Sequence, residues 1–144
     1  MSPTPASLWL RLAAAIYDLF PLLALWMLTA ALVLFAAHGD IDVAHPPLAY
    51  RTALRAALVA VTAAYFVISW ARGGQTIGMR AWRLRLNGED GAPLPWRRAL
   101  LRFGAMILSV CALGLGFFWC LIDRKKRAWH DIVAHTEVTR LPKA

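Results

Sequence analysis

Three stretches of this chain are too long and too apolar for water to cover. From Leu19 to Ala37, nineteen consecutive positions carry no charge. Thr52 to Ala71 holds a single charge, Arg55, in twenty positions, and Phe103 to Ile122 holds none in twenty. A hydrocarbon core of about 30 Å needs roughly 20 helical residues at about 1.5 Å each, so each run meets that length or nearly does. Sixty per cent of the 144 residues are apolar and the mean hydropathy is +0.53. A soluble chain of this size needs far more polar surface. The expected class is therefore an all-α integral membrane protein, with two firm transmembrane helices and a third hydrophobic segment that either spans or is re-entrant. The first run is read as a retained helix, because its apolar part exceeds the 7–15 residues of a signal-peptide core.

Organisation follows from the breaks between runs. Met1 to Ser7 reads as a mobile tail, and the three segments lie at about 8–37, 52–71 (with a possible start at Leu48) and 99–122. Pro21 frees the carbonyl of Tyr17 inside the first and predicts a bend. The acidic connection from His38 to Pro47 carries loop residues, and its histidines, His38 and His45, read as solvated. Gly73-Gly74 stops the second helix. A basic segment, 72–98, follows. In it Ala81 to Leu86 alternates apolar and basic residues as a half-buried strand does, with a turn at Asn87 to Gly91. Alternatively, Thr76 to Leu86 forms one amphipathic interfacial helix. Either arrangement turns Trp82 to the apolar side and leaves Arg83 and Arg85, with Arg97 and Arg98 beyond, free to reach lipid phosphates. The seven tryptophans fall mostly at run ends, as interfacial anchors. Residues 123–144 form a polar tail.

The formal charge is +8, from 16 Lys and Arg against 8 Asp and Glu. Because the basic residues flank hydrophobic runs, the expected partners are the bilayer and its anionic headgroups, not nucleic acid. The orientation rule puts the seven arginines of 72–102, and with them the N-terminus, on the cytoplasmic side. A plain third crossing would then leave Arg124-Lys125-Lys126-Arg127 outside. A turn at Gly114-Leu115-Gly116 would remove that conflict, and both forms stay open on spacing alone. Three short segments enclose little interior, so a transport path calls for a homo-oligomer or a partner membrane protein.

Asp18 is the most informative residue. A carboxylate in hydrocarbon costs about 2.5–3.5 kcal/mol on insertion scales, so it should face protein or water. Arg11, seven positions earlier, shares its helix face but lies about 10 Å away along the axis, too far for direct contact. A third group or water must come between, and Arg102 is a candidate partner for Asp18. The cluster suits ion or solute handling; the competing reading has Arg11 snorkel to the interface while Asp18 joins helices. Cys111 and Cys120 match neither a redox nor a zinc spacing. His130 and His135 are five apart, not the i,i+4 of a helical metal pair. Ser69 and Ser109 lack a neighbouring His and acid, so no enzyme, metal or cofactor is expected.

Three stretches resemble the RDD family of bacterial membrane proteins, named for one arginine and two aspartates. Arg11-Leu-Ala-Ala-Ala-Ile-Tyr-Asp18 looks like its first-helix signature. Gly74-Gln-Thr76-Ile-Gly78-Met-Arg80 is similar to the stretch after its second helix. Trp129-His130-Asp131-Ile-Val-Ala-His-Thr136-Glu-Val138 is similar to its closing element. The resemblance implies Arg11, Asp18 and Asp131 as the naming triad, with Asp123 a second candidate for the last place. His135 stands where the family has glycine, which puts the tight turn there in question. The family has been linked to transport, and some members to sodium/proton exchange. The resemblance thus implies a single membrane domain, in a bacterial inner membrane, that transports a proton, cation or small solute. A non-transport accessory or lipid-binding scaffold is the alternative. If the triad acts as one site, Asp131 must return to the side of Arg11, which favours the re-entrant form.

Overall fold

The computed structural model describes residues 4–37, 41–42 and 44–142. Two long helices dominate it: α1 (Leu8–Ala36) and α2 (Leu48–Gly73). Both are long and apolar enough to cross a membrane. Their outward faces are uncovered large apolar side chains, including Trp9, Phe20, Met27 and Phe35 on α1 and Val59 and Ile68 on α2. Contiguous exposure of this kind is untenable in water and natural in lipid. The chain is a mostly helical membrane protein. Between α1 and α2, Trp26 Nε1 donates to Thr62 Oγ1 at 2.8 Å. Trp26 is thus an interhelical strut and not an interfacial anchor. Helix α1 runs unbroken through Pro21.

The third hydrophobic segment is sharply bent and folds back on itself. Helix α4 (Trp96–Cys111) has sixteen residues, a rise of only about 24 Å. The chain then bends by 108° into α5 (Leu115–Phe118) and a 3-10 turn, Trp119–Leu121. Leu113 and Gly114 both take positive φ at the bend. A Cβ added to Gly116 would lie 2.2 Å from Ser109 Oγ, so only glycine lets the returning chain lie this close to α4. Helix α6 (Trp129–Val133) then packs back against α4. The segment ends on the side where it began, so both basic regions share one end of the helix pair.

That end carries a small antiparallel sheet that the sequence patterns did not assemble. The basic segment divides into a short helix, α3 (Ile77–Ala81), and a strand, β2 (Leu84–Gly88), joined through Arg83 at φ 55°. Leu84 and Leu86 are buried and Arg85 is exposed, the expected alternation. No hairpin follows the turn at Glu89–Gly91. Instead, β2 pairs with β3 (Thr136–Arg140), from Leu84 opposite Arg140 to Gly88 opposite Thr136. On its other side β3 holds β1 (Thr4–Pro5), and Ala6 N donates to Val138 O at 2.9 Å. From Thr4 onward, therefore, the N-terminal stretch is an exposed edge strand followed by a buried Ala6, not a mobile tail. The polar C-terminal stretch is folded at least to Arg140. The mobile-tail reading of Thr4 to Ser7 fails for a physical reason. These strands are too short to show a period and exist only because each finds its partner. His38 and Lys143 lie outside the described residues. His45 is exposed and meets Asp42 at 3.2 Å.

Candidate functional site

Arg11 leaves the second turn of α1 and points into the seam between that helix and the returned C-terminal region. Its guanidinium donates to Asp131, to Lys126 O at 2.8 Å and to Ala6 O at 3.3 Å. Arg102, 5 % exposed on the inner face of α4, donates to the other oxygen of Asp131 and to Thr136 Oγ1 at 2.6 Å. Its guanidinium carbon sits 5.0 Å from the centre of the Trp70 ring, a cation–π contact. Asp131 is fully buried; its carboxylate also accepts from Ala128 N at 3.0 Å, across the first turn of α6. Two arginines thus clamp one aspartate between the start of α1, the middle of α4 and α6. Trp70 is buried against this cluster and is no interfacial anchor.

Asp18 lies elsewhere in the same interior. It is 3 % exposed, and its oxygens accept from Tyr65 Oη and Thr76 Oγ1, each at 2.6 Å, and from Gly78 N at 2.8 Å. Both hydroxyls are themselves oriented by backbone donors. Ile77 N reaches Tyr65 Oη at 3.3 Å, and Met79 N reaches Thr76 Oγ1 at 3.1 Å, as the N-cap of α3. The protons of both hydroxyls are thereby committed toward Asp18, which meets donors only. Among the described residues no cation pairs with it. Arg102, the expected partner, turns to Asp131 instead, because α6 returns to α4 and offers a closer carboxylate. Gly78 is the reason α3 can sit so near α1. A Cβ there would fall 2.0 Å from Ala14 O and 2.9 Å from Asp18 Cγ.

A cavity of about 130 Å³ joins the two clusters. Arg11, Arg102 and His130 line it along with Asp18, and apolar walls such as Phe66 and Met106 complete it. The shared helix face of Arg11 and Asp18 is real, and what separates them is this space. His130 packs on Phe117 at 4.9 Å between ring centres, and its Nδ1 has no partner among the described residues; nor has Nε of Arg102. Buried polar atoms left unpaired are uncommon and call for a polar occupant or water.

Charge states at the clamp follow from its surroundings. Burial by itself would raise the pKa of Asp131, but the adjacent charges of Arg102 and Arg11 outweigh it and hold the carboxyl well below 3.8. Burial, and then Arg102, pushes His130 down from 6.5 to about 3. The 3.6 Å approach of His130 Nε2 to Asp131 is therefore no ion pair at neutral pH. Both shifts give stability the same sign. Between pH 6.5 and about 3 an unfolded His130 takes up a proton that the folded one refuses, so stability falls as pH drops through that window. Asp131 adds to the loss below 3.8, as pH falls toward its depressed folded value. Unfolding free energy in detergent should decline below pH 6.5 with a slope approaching about 1.4 kcal/mol per pH unit. His130→Gln should flatten the part above pH 4, and an unchanged slope there would assign it to another group.

The remaining candidates separate cleanly. Asp123 pairs with Arg127 at 3.2 Å, and Arg127 also reaches Glu89 at 2.7 Å; neither joins the clamp. Gly74 ends α2 at φ 65°, Thr76 caps α3, and Arg80 lies beside Gly73. Thr136 receives Arg102. The tight turn at His135 does form, at φ 51°, with the imidazole exposed and facing Glu89 at 3.7 Å. His130 and His135 do not converge. Among the described residues no three His, Cys, Asp or Glu side chains gather to hold a metal ion. Arg83, Arg85, Arg97 and Arg98 are all exposed without an ion-pair partner among the described residues. Sequence reasoning missed Tyr65 and Trp70, and a hydroxyl inside an apolar run was the one signal for the first.

Fold and site together define a helical membrane protein whose basic end is closed by a buried Arg–Asp–Arg clamp above a cavity with a second aspartate. The chain belongs to the RDD family, whose model matches residues 5–135. No curated protein and no solved structure matches the chain.

Proposed function

We propose that this RDD-family protein transports a proton, a cation or a small solute, with Asp18 as the group that binds the cargo. The observation that carries this reading is the contrast between its two buried aspartates. Asp131 is neutralised by two guanidiniums, whereas Asp18 lines the cavity and has no cation of its own among the described residues. An ionisable group inside a membrane protein is by default a candidate on an ion or solute path. The cavity has room for about four water molecules, enough for a small hydrated cation or a compact solute. Its roles divide accordingly: Arg11 and Arg102 hold the clamp shut, and Asp18 exchanges with the cargo. No catalytic role is proposed. A single protomer offers three hydrophobic segments, which enclose little interior, so we propose a homo-oligomer or a partner membrane protein for the complete path.

In the proposed setting, a bacterial inner membrane, the basic end faces the cytoplasm. Single cysteines at Thr4 and Lys125, in a variant lacking Cys111 and Cys120, should then be labelled only from that side. The transport reading is tested in liposomes carrying a trapped pH dye and an imposed sodium or potassium gradient. Wild-type protein should couple the gradient to a pH change. Asp18→Asn should abolish that coupling while the protein stays folded and keeps its oligomeric state. Equal flux in the two proteins would sink the assignment; lost assembly without a transport defect would make Asp18 a structural tie. A second reading, an accessory or lipid-binding scaffold, is favoured by the exposed Arg83, Arg85, Arg97 and Arg98. It predicts no flux at all and weaker binding to anionic vesicles when Arg83 and Arg85 are replaced.

A further inference from the structure

A second cleft, of about 300 Å³, opens where α2 gives way to α3 and is distinct from the cavity that holds Asp18. Ser69, Arg72 and Gly73 line it from the last turns of α2, Gln75 from the connection, and Ile77 and Arg80 from α3. It holds two guanidiniums and no carboxylate. The guanidiniums of Arg72 and Arg80 form neither an ion pair nor a hydrogen bond among the described residues, unlike those of Arg11, Arg102 and Arg127. A Cβ on Gly73 would lie 3.5 Å from Arg80 Nη2, so that guanidinium rests against the end of α2. Ser69 adds a hydroxyl. Gln75 is held in place because its Nε2 donates to Leu84 O at 2.7 Å.

Position and rim narrow the ligand. Helix α2 has 26 residues, a length of about 39 Å against a hydrocarbon core of about 30 Å. Its last turn therefore emerges at headgroup level. Ile68 and Ile77, both exposed, edge the cleft with apolar surface, where a free anion has nothing to contact and an acyl chain does. Planar guanidiniums suit the paired oxygens of a phosphodiester. We propose that this cleft binds one anionic phospholipid by its headgroup phosphate, between Arg72 and Arg80, with the acyl chains leaving past Ile68 and Ile77.

The test is a titration of the full-length protein in neutral detergent with phosphatidylglycerol, followed by native mass spectrometry of the first bound lipid. Arg72→Gln/Arg80→Gln should weaken that first binding about thirtyfold, while the charge-matched Arg124→Gln/Lys125→Gln, exposed at the same basic end, should change it by less than about threefold. Phosphatidylcholine, whose cation the two arginines repel, should bind more weakly than phosphatidylglycerol. Equal losses in the two double variants would mean diffuse attraction to the basic end and would overturn the site. So would an unaltered affinity in Arg72→Gln/Arg80→Gln. Displacement of the lipid by inorganic phosphate at comparable concentration would assign the cleft to a free anion instead. Melting without lipid checks that the double variant is folded. If it is not, Arg72→Gln alone, an exposed side chain, should cost about fivefold, and no loss there would equally refute the proposal.

Discussion

Asp131→Ala should be the most damaging single substitution in this protein, lowering its stability by about 3–5 kcal/mol. The reason is what it leaves behind. Arg102 is 5 % exposed and cannot swing to water, and Arg11 stands across the same carboxylate. Without Asp131 two like charges face each other, and Arg102, the more deeply buried, is left with no carboxylate. Ala128 N also loses its partner, the carboxylate oxygen it donates to. Denaturant unfolding in detergent micelles would measure the loss. The decisive comparison is Asp131→Ala/Arg102→Met, which removes the stranded charge with its partner and should recover part of the loss, since an apolar residue of similar length fits the site. If the double variant is no more stable than Asp131→Ala, stranded charge is not the cause.

Gly78→Ala comes second, and its effect should reach the cargo site. The added methyl would lie 2.0 Å from Ala14 O, a backbone atom in the middle of a helix. Neither side can yield by a side-chain rotation, so α3 must move off α1. Overpacking of this kind costs about 1–3 kcal/mol. The displacement also withdraws Gly78 N and Thr76 Oγ1 from Asp18, and each donor lost from a buried carboxylate adds about 1–3 kcal/mol. A total of at least about 3 kcal/mol is expected, with loss of any transport that depends on Asp18. Gly104, which has open space around the same position, provides the control. Gly104→Ala should be neutral or slightly stabilising, as alanine is the better helix former. Comparable damage from both would show that α3 does not rest on Gly78 in this way.

Hydropathy is local and additive, so the sequence alone determined the membrane class, the two spanning helices and the basic end. Helical spacing likewise put Arg11 and Asp18 on one face, and period-two alternation put Leu84 and Leu86 inside and Arg85 outside. The resemblance to the RDD family picked out Asp131. Tertiary structure decided everything that required a partner distant in the chain. Arg11 meets Asp131, 120 positions away, and Asp18 meets Tyr65, Thr76 and Gly78. No spacing along one helix could have drawn that exchange of partners. Strands β1 and β3 have no identity until they pair. The charge rule and a pair of glycines left the path of the third segment balanced between crossing and returning. The return became definite only when α6 brought Asp131 to Arg102 and Arg11, because a buried carboxylate there is tolerated only between cations.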